Sequence, residues 1–109
     1  MIFLKSFKPI KISKPAEIDL KEITAYTLKQ WGKLQKKYYL GLFKQFFNDL
    51  STIQSDNEFF PITRVRDEID NGLMSYQIEK HVVYFRETKH EFLVVRVLHS
   101  QMDPEKHLP

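Results

Sequence analysis

The spacing of large apolar side chains changes once along this chain, from the period of a helix to the alternation of β-strands. Between residues 16 and 53 such side chains recur every three or four positions, as they do on one face of a helix. The helical spacing stops after Ser55-Asp56-Asn57, and the turn signal Asp70-Asn71-Gly72 introduces segments rich in Val, Tyr and Phe. Helices followed by consecutive strands predict an α+β fold.

A short strand and two helices are predicted before that change. Residues 10–13, Ile-Lys-Ile-Ser, alternate apolar and polar side chains, and Pro15 suits the first turn of a following helix. This helix should extend from about 15 to 31 and end at Gly32, after which a second helical pattern begins. The two helices are expected to form an antiparallel hairpin. The predicted core positions are Ala16, Leu20, Ile23, Thr27, Trp31, Tyr39, Leu42, Phe43, Phe46, Phe47, Leu50 and Ile53.

Three strands and a short tail are predicted in the second part of the chain. Leu73 to Ile78, His81 to Arg86 and Phe92 to His99 are joined by short polar links, which predicts an antiparallel meander. The tail, residues 100–109, suits one short helical turn packed on the sheet.

A five-residue link at 87–91 would pair Arg86 with Phe92. On that register Tyr84, Arg86 and Arg96 share one face of the sheet, and His99 lies on the other. This other face is expected to cover the helices, and it carries Val83, Phe85, Leu93, Val95 and Val97.

The length, the cysteine content and the charge limit the class of protein. At 109 residues one domain, 1–109, is expected. The absence of cysteine excludes disulfides, thiolate zinc sites and thiol catalysis, and it indicates a reducing compartment, the cytoplasm. His81, His90 and His107 are too widely spaced for a metal site.

Residues 1–48 contain ten lysines and three acids, whereas residues 49–109 contain seven bases and eleven acids, so the charge is unevenly distributed.

Three segments resemble a known family. WGKLQKKYYLGLF at residues 31–43 is similar to the Trp-Gly-x-x-Gln…Tyr…Leu hairpin of the RelE/ParE superfamily, and HVVYFR at residues 81–86 is similar to its His-Val-φ-φ-Tyr/Phe-Arg strand. RVLHSQMDPEKHL at residues 96–108 resembles the ending of its ParE members. The resemblance departs at Met74, where many relatives have arginine, and residues 1–8 look like an N-terminal extension.

The resemblance implies a ParE-type toxin that inhibits DNA gyrase without being an enzyme and that requires no cofactor. It also implies a ParD-like antitoxin whose flexible segment folds against the toxin in a hetero-oligomer. The toxin would contact DNA only indirectly, through the antitoxin or through gyrase. Such coupled folding needs an apolar groove, and the aromatic side chains of the second helix are too many for all to point into a two-layer core. The expected partner-contact residues are Tyr38, Tyr39, Tyr84, Arg86, Arg96, His99 and Met102.

Two rival functions remain open from the sequence. The other branch of the superfamily consists of ribosome-dependent mRNA endonucleases, for which Tyr84, Arg86, Arg96 and His99 are the candidate groups. Against it, both arginines are also suited to structural roles, holding the tail or a carboxylate, and His99 is suited to bonding the chain reversal before the tail. A direct DNA-binding module would instead use a lysine stripe, which could also meet the acidic antitoxin, although such stripes are usually solvated. These lysines are Lys29, Lys33, Lys36, Lys37 and Lys44.

Overall fold

The computed structural model describes residues 8–52 and 63–108, which form a five-stranded sheet with a long helical segment packed on one face. The elements are β1 (Ile10–Ile12), α1 (Lys14–Thr52), β2 (Arg64–Val65), β3 (Leu73–Ile78), β4 (His81–Glu87), β5 (Phe92–His99) and α2 (Pro104–His107). The predicted α+β layout is confirmed. Ile53, Pro61 and most of the predicted N-terminal extension lie outside the described residues.

The helical segment α1 begins with a side-chain cap and is interrupted once. The Ser13 hydroxyl oxygen accepts a hydrogen bond from the Ala16 amide at 3.2 Å, and the Ser13 carbonyl accepts one from the Glu17 amide. Gly32 has φ 89° and ψ 179°, a conformation that only glycine adopts without strain. The predicted break at Gly32 is therefore confirmed, and it divides α1 into a first arm, residues 14–31, and a second arm, residues 33–52.

The two arms run in opposite directions over the sheet. The first arm passes Val97 of β5 at Asp19, whose carboxylate accepts a hydrogen bond from the Val97 amide. The second arm starts near the end of β3 that lies beside the His99 end of β5, where the Tyr39 hydroxyl donates to the Ile78 carbonyl. It finishes beside the start of β1, where the Ser51 carbonyl accepts a bond from the amide of residue 8. The expected antiparallel hairpin is present.

The strands are arranged in the order β1-β5-β4-β3-β2. β1 pairs in parallel with β5, and all other pairs are antiparallel, so the predicted meander of β3, β4 and β5 is confirmed. Two features were not predicted: the parallel pairing of β1 and the two-residue strand β2 at the edge of the sheet. Pairing between strands so distant along the chain depends on tertiary contacts that local patterns do not encode.

The predicted register between β4 and β5 is wrong by one residue at the hairpin end. Phe92 pairs with Glu87 instead of Arg86, because the Thr88 amide and the Glu91 carbonyl close a tighter link at 2.8 Å. An irregularity next to the Tyr84–Arg96 pair shifts the register by one more residue, so the side chains from Arg96 onwards lie on the predicted faces although their partners differ by two positions. In consequence Phe92 and Val94 face the helices, where Leu93 and Val95 were expected. The remaining predicted helix-facing residues, Val83, Phe85 and Val97, are in the core as expected.

Apolar side chains are buried on both faces of the sheet. The helix-side core contains Ala16, Ile23, Tyr39, Phe43, Phe46, Leu50, Ile78, Val83, Phe85, Phe92, Val94 and Val97. A smaller cluster on the far face contains Leu73, Tyr84 and Leu98, with Ile69, Val82, Val95 and Leu108 packed against it. No helix among the described residues has an apolar stretch long enough to cross a membrane.

The predicted core position of Trp31 is wrong, since 67% of the residue is exposed. It keeps the helical spacing of the buried residues Ile23 and Thr27, but it directly precedes the break at Gly32. The helical period shows which side of the helix a side chain lies on, but it does not show whether the sheet covers the helix at that position. The first arm continues past its last buried residue, so the indole meets solvent.

Candidate partner-binding site

One end of the sheet gathers Tyr39, His81 and His99 on the helix side. His81 pairs with His99 across β4 and β5, with ring centroids 5.3 Å apart. The Tyr39 hydroxyl lies 2.6 Å from His81 Nδ1 and 3.1 Å from the Ile78 carbonyl oxygen. Because a hydroxyl has one proton, its donation to Ile78 requires His81 Nδ1 to carry a hydrogen and to donate to the tyrosine oxygen.

Burial determines the protonation of this group. Burial and, secondly, the neighbouring His99 lower the pKa of His81 to about 4, so the His81 ring is neutral at pH 7. Burial also raises the pKa of the Tyr39 hydroxyl, which keeps it protonated. A neutral imidazole and a neutral phenol form a structural contact between α1 and the sheet, and Tyr39 has little surface left for a partner.

His99 has a structural role at the start of the tail. Its Nδ1 atom accepts a hydrogen bond from the Gln101 amide at 3.1 Å, and its carbonyl accepts one from the Met102 amide at 2.9 Å. These bonds close the chain reversal after β5, which is the structural role weighed for this histidine. His99 lies on the face opposite Tyr84, as the parity of the strands predicts. Met102 follows the reversal with its side chain exposed.

Arg96 connects α1, β5 and the tail. Its Nε and one terminal nitrogen donate to the Asp19 carboxylate at 2.7 and 2.9 Å, and its other terminal nitrogen donates to the His107 carbonyl at 2.8 Å. The bond with Asp19 raises the pKa of Arg96. Arg96 pairs directly with Tyr84 across β4 and β5, which agrees with the expected shared face. Its guanidinium extends around the edge of β5 to Asp19, because β1 ends beside Val94 and leaves that edge open.

Tyr84 and Arg86 lie on the far face, as expected. Tyr84 is buried in the far-face cluster, with the Arg66 guanidinium 5.9 Å from its ring centroid. Arg86 forms an ion pair with Asp70 and donates to the Asn71 carbonyl at 2.8 Å, so its guanidinium holds the turn that precedes β3. Tyr84 therefore supports the surface from beneath, and Arg86 contributes to it as a partly exposed ion pair.

The far face contains an open depression of about 530 Å³ between this turn and the tail. Its floor is apolar and consists of Leu73, Val95 and Leu108, which belong to the far-face cluster. Its charged lining residues are Glu68, Asp70, Glu105 and Arg86. An apolar floor with a predominantly acidic rim suits a protein segment that presents an apolar side chain next to a basic one.

The arrangement does not resemble a catalytic centre for nucleotide chemistry. Phosphoryl chemistry needs cationic donors and a general base that converge on one open position. Here both candidate arginines donate to carboxylates and backbone carbonyls, Tyr84 is buried, and His99 lies on the opposite face. In the part of the chain described, no three His, Asp or Glu side chains lie close enough together to hold a metal ion.

The predicted contact residues therefore lie in separate places. Tyr38 is exposed on the second arm, its hydroxyl 3.5 Å from Glu79. His99 and Met102 lie at the chain reversal, while Arg86 and Arg96 lie on the far face and at the sheet edge.

Sequence reasoning missed Asp19 and Asp70, the acids that orient the two arginines. A signal existed for Asp19: it stands between Ala16 and Ile23 on the apolar side of the first arm, where an acid implies a buried partner.

The comparisons with known proteins agree with the fold. The family model described as the ParE toxin of type II toxin–antitoxin systems, parDE, matches residues 10–104. Among solved structures, the chain is similar to one from a chromosomal ParDE system of P. aeruginosa, with a TM-score of 0.67 and 14% sequence identity; the likeness covers 86% of this chain and 97% of that chain. No curated protein sequence matches significantly. The matched residues run from the start of β1 to the start of α2, so the chain belongs to the family of ParE toxins of type II toxin–antitoxin systems.

Proposed function

We propose that this ParE toxin inhibits DNA gyrase by docking on it, stalls its DNA-cleavage cycle and so blocks replication. The observation that supports a mechanism by contact, without catalysis, is that both arginines of the strands, Arg86 and Arg96, form ion pairs within the toxin. Arg96 is held by Asp19 and Arg86 by Asp70, so the charge of each guanidinium is already paired with a carboxylate instead of being available to a scissile phosphate. The exposed surface around them offers apolar and charged patches, which are the features that bind proteins.

A ParD-like antitoxin is the proposed neutralising partner, in a hetero-oligomer with the toxin. The similar structure from P. aeruginosa is itself of a ParDE system, which supports this assignment. The depression of the far face is the proposed contact for one antitoxin segment, because its apolar floor and acidic rim fit an amphipathic chain. The proposed contact residues accessible in this structure are Tyr38, Arg86, Arg96, His99 and Met102, with Tyr39 and Tyr84 supporting them from the core.

The test is a supercoiling assay with purified gyrase, ATP and relaxed plasmid. The toxin should inhibit supercoiling and increase the fraction of cleaved plasmid, and prior mixing with the protein encoded by the adjacent antitoxin gene should restore activity. In a parallel assay, mRNA on translating ribosomes should remain intact. Cleaved mRNA together with normal supercoiling would establish the rival endonuclease instead.

A pair of matched variants tests the contact surface. Met102→Ser changes an exposed apolar side chain among the proposed contact residues, and Ile18→Ser changes one that lies outside them, on the first arm. The first variant should weaken inhibition of gyrase or binding of the antitoxin, and the second should affect neither. Equal effects of the two substitutions would show that the tail does not form the contact.

A further inference from the structure

The tip of the hairpin, defined as residues 26–38, is not covered by the sheet. Thr27 is the last buried residue of the first arm and Tyr39 is the first of the second arm, and none of the residues between them is buried. The exposed fractions are 62% for Tyr26, 67% for Trp31, 85% for Leu34 and 53% for Tyr38. A folded chain rarely exposes so many large apolar side chains in so short a segment unless the surface binds something.

The same tip is strongly basic. Residues 23–48 contain five lysines and no Asp or Glu. Lys29, Lys33 and Lys37 are exposed, and Lys36 is partly so. Within residues 8–52 and 63–108, none of these lysines pairs with a carboxylate. The tip therefore combines positive charge that no carboxylate of the described residues pairs with and aromatic rings that face water.

We infer that the hairpin tip binds single-stranded DNA directly. The exposed rings of Tyr26, Trp31 and Tyr38 provide surfaces on which bases stack, and the neighbouring lysines neutralise the phosphates between them. The resemblance implied only indirect contact with DNA, and this inference adds a direct one. The choice of DNA over RNA rests on the proposed function, because gyrase opens DNA where this toxin is proposed to act. The inference that the tip binds a single strand does not rest on that function.

The geometry favours a single strand over other occupants. A duplex holds its bases stacked inside, so they do not reach rings on a protein surface. An acidic amphipathic helix needs an apolar groove, and the depression of the far face is lined by residues outside the tip, as is a smaller one between the start of α1 and Arg96. The basic groups of the tip are all lysines, which suits contact with phosphates as point charges more than bidentate recognition of carboxylates.

The experiment uses the fluorescence of Trp31, the only tryptophan of the chain. The full-length protein is titrated with an oligothymidylate of about 20 nucleotides, a length that spans the site sizes of such proteins. Trp31 emission should be quenched as bases stack on the ring, and the affinity should fall steeply when salt is raised from about 50 to about 200 mM. Absence of quenching at the lower salt concentration would overturn the inference.

Two matched pairs of variants separate stacking from simple attraction, with affinity followed by the anisotropy of a labelled oligonucleotide. Trp31→Ala should weaken binding about tenfold, because stacking of one base is lost, whereas Leu34→Ala, which removes an even more exposed apolar side chain without a ring, should leave it nearly unchanged. Combined Lys29→Gln, Lys33→Gln and Lys37→Gln substitutions should reduce the salt slope by roughly 2. The control combination Lys11→Gln, Lys89→Gln and Lys106→Gln, with the same charge change on exposed residues outside the tip, should not.

Three further ligands give the remaining outcomes. Polyglutamate carries charge without bases, and vesicles of anionic phospholipid carry charge with an apolar interior. Binding of either as tightly as the oligothymidylate, with the same dependence on the tip lysines, would overturn the inference in favour of an acidic peptide or a membrane surface. Tighter binding of oligouridylate would overturn the choice of DNA. None of these assays contains gyrase, so failure here is distinguishable from failure of the proposed function.

Discussion

The guanidinium of Arg96 donates two hydrogen bonds to the carboxylate of Asp19, at 2.7 and 2.9 Å. The same carboxylate accepts a third from the Val97 amide at 2.9 Å, and Arg96 donates in turn to the His107 carbonyl. One ion pair therefore joins the first arm, β5 and the tail. Since the Asp19 side chain is only 9% exposed, the pair is shielded from water and is more than a surface contact.

Replacing Asp19 should destabilise the fold substantially. Asp19→Ala leaves Arg96 without its carboxylate and the buried Val97 amide without an acceptor, which should cost about 3 kcal/mol in the free energy of unfolding. Urea denaturation followed by circular dichroism measures it. Glu22→Ala, an exposed acid one turn later in α1, is the control and should cost less than about 0.5 kcal/mol. Equal midpoints for the two variants would contradict a stabilising role of the pair.

Stability should depend on pH through His81. Its pKa is lowered to about 4 in the folded chain, against 6.5 for the free side chain, so the unfolded chain binds more protons between these values. The contribution of His81 to the free energy of unfolding is fully present above pH 6.5 and decreases as the pH falls towards 4. With solvent screening, the loss should be about 1 to 2 kcal/mol.

Urea midpoints across that pH range measure the contribution of His81. His81→Gln should flatten the profile, because the titrating group is gone, whereas His90→Gln, in the exposed link between β4 and β5, should reproduce the parent profile. A profile unchanged by His81→Gln would show that other groups cause the acid sensitivity.

Adjacent tyrosines of the second arm should respond differently to loss of the hydroxyl. Tyr39→Phe removes the contacts with His81 and Ile78 in a buried setting and should cost about 1 to 2 kcal/mol. Tyr38→Phe removes a long bond of 3.5 Å to Glu79 at the surface and should change stability little. Thermal or urea unfolding of both variants compares them, and a larger loss for Tyr38→Phe would be inconsistent with the buried contact.

The break between the arms should tolerate only glycine. Gly32→Ala keeps φ at 89°, which strains an L-residue, and it should cost about 2 kcal/mol although no atom lies within 4 Å of the added Cβ. Gly41→Ala meets equally open space inside the regular helix and should instead stabilise by roughly 0.5 to 1 kcal/mol. Opposite signs in chemical denaturation are the expected result. A stabilising Gly32→Ala would show that the arms join without a positive φ.

Sequence patterns predicted this protein best where local chemistry decides the structure. Gly32 breaks the helix because it lacks a Cβ, and Pro15 suits the first turn of α1 because its missing N–H is not needed there. The meander followed from strands rich in β-branched and aromatic residues separated by polar links. His99 was assigned to the correct face by parity, although the predicted register was wrong by one residue at the hairpin end, because the irregularity beside Tyr84 adds a second one-residue shift that restores the parity.

The candidate site was less predictable, because its parts come from distant positions. Nothing local to Arg96 indicates that Asp19, in another element, will hold it, or that Asp70 will hold Arg86. The exposure of individual side chains could not be predicted from the pattern either. Trp31 follows the spacing of core residues, but it is exposed to solvent because the first arm continues past its last buried residue.

By itself the sequence determined the two arms, their break, the three long strands and the membership of a toxin family, since each depends on the conformational preferences and order of neighbouring residues. Only the tertiary structure decided which charges pair, which strands become neighbours across the chain, and which apolar side chains stay exposed. Those outcomes depend on what lies opposite each residue in space, and that is fixed only when the arms and the sheet pack together.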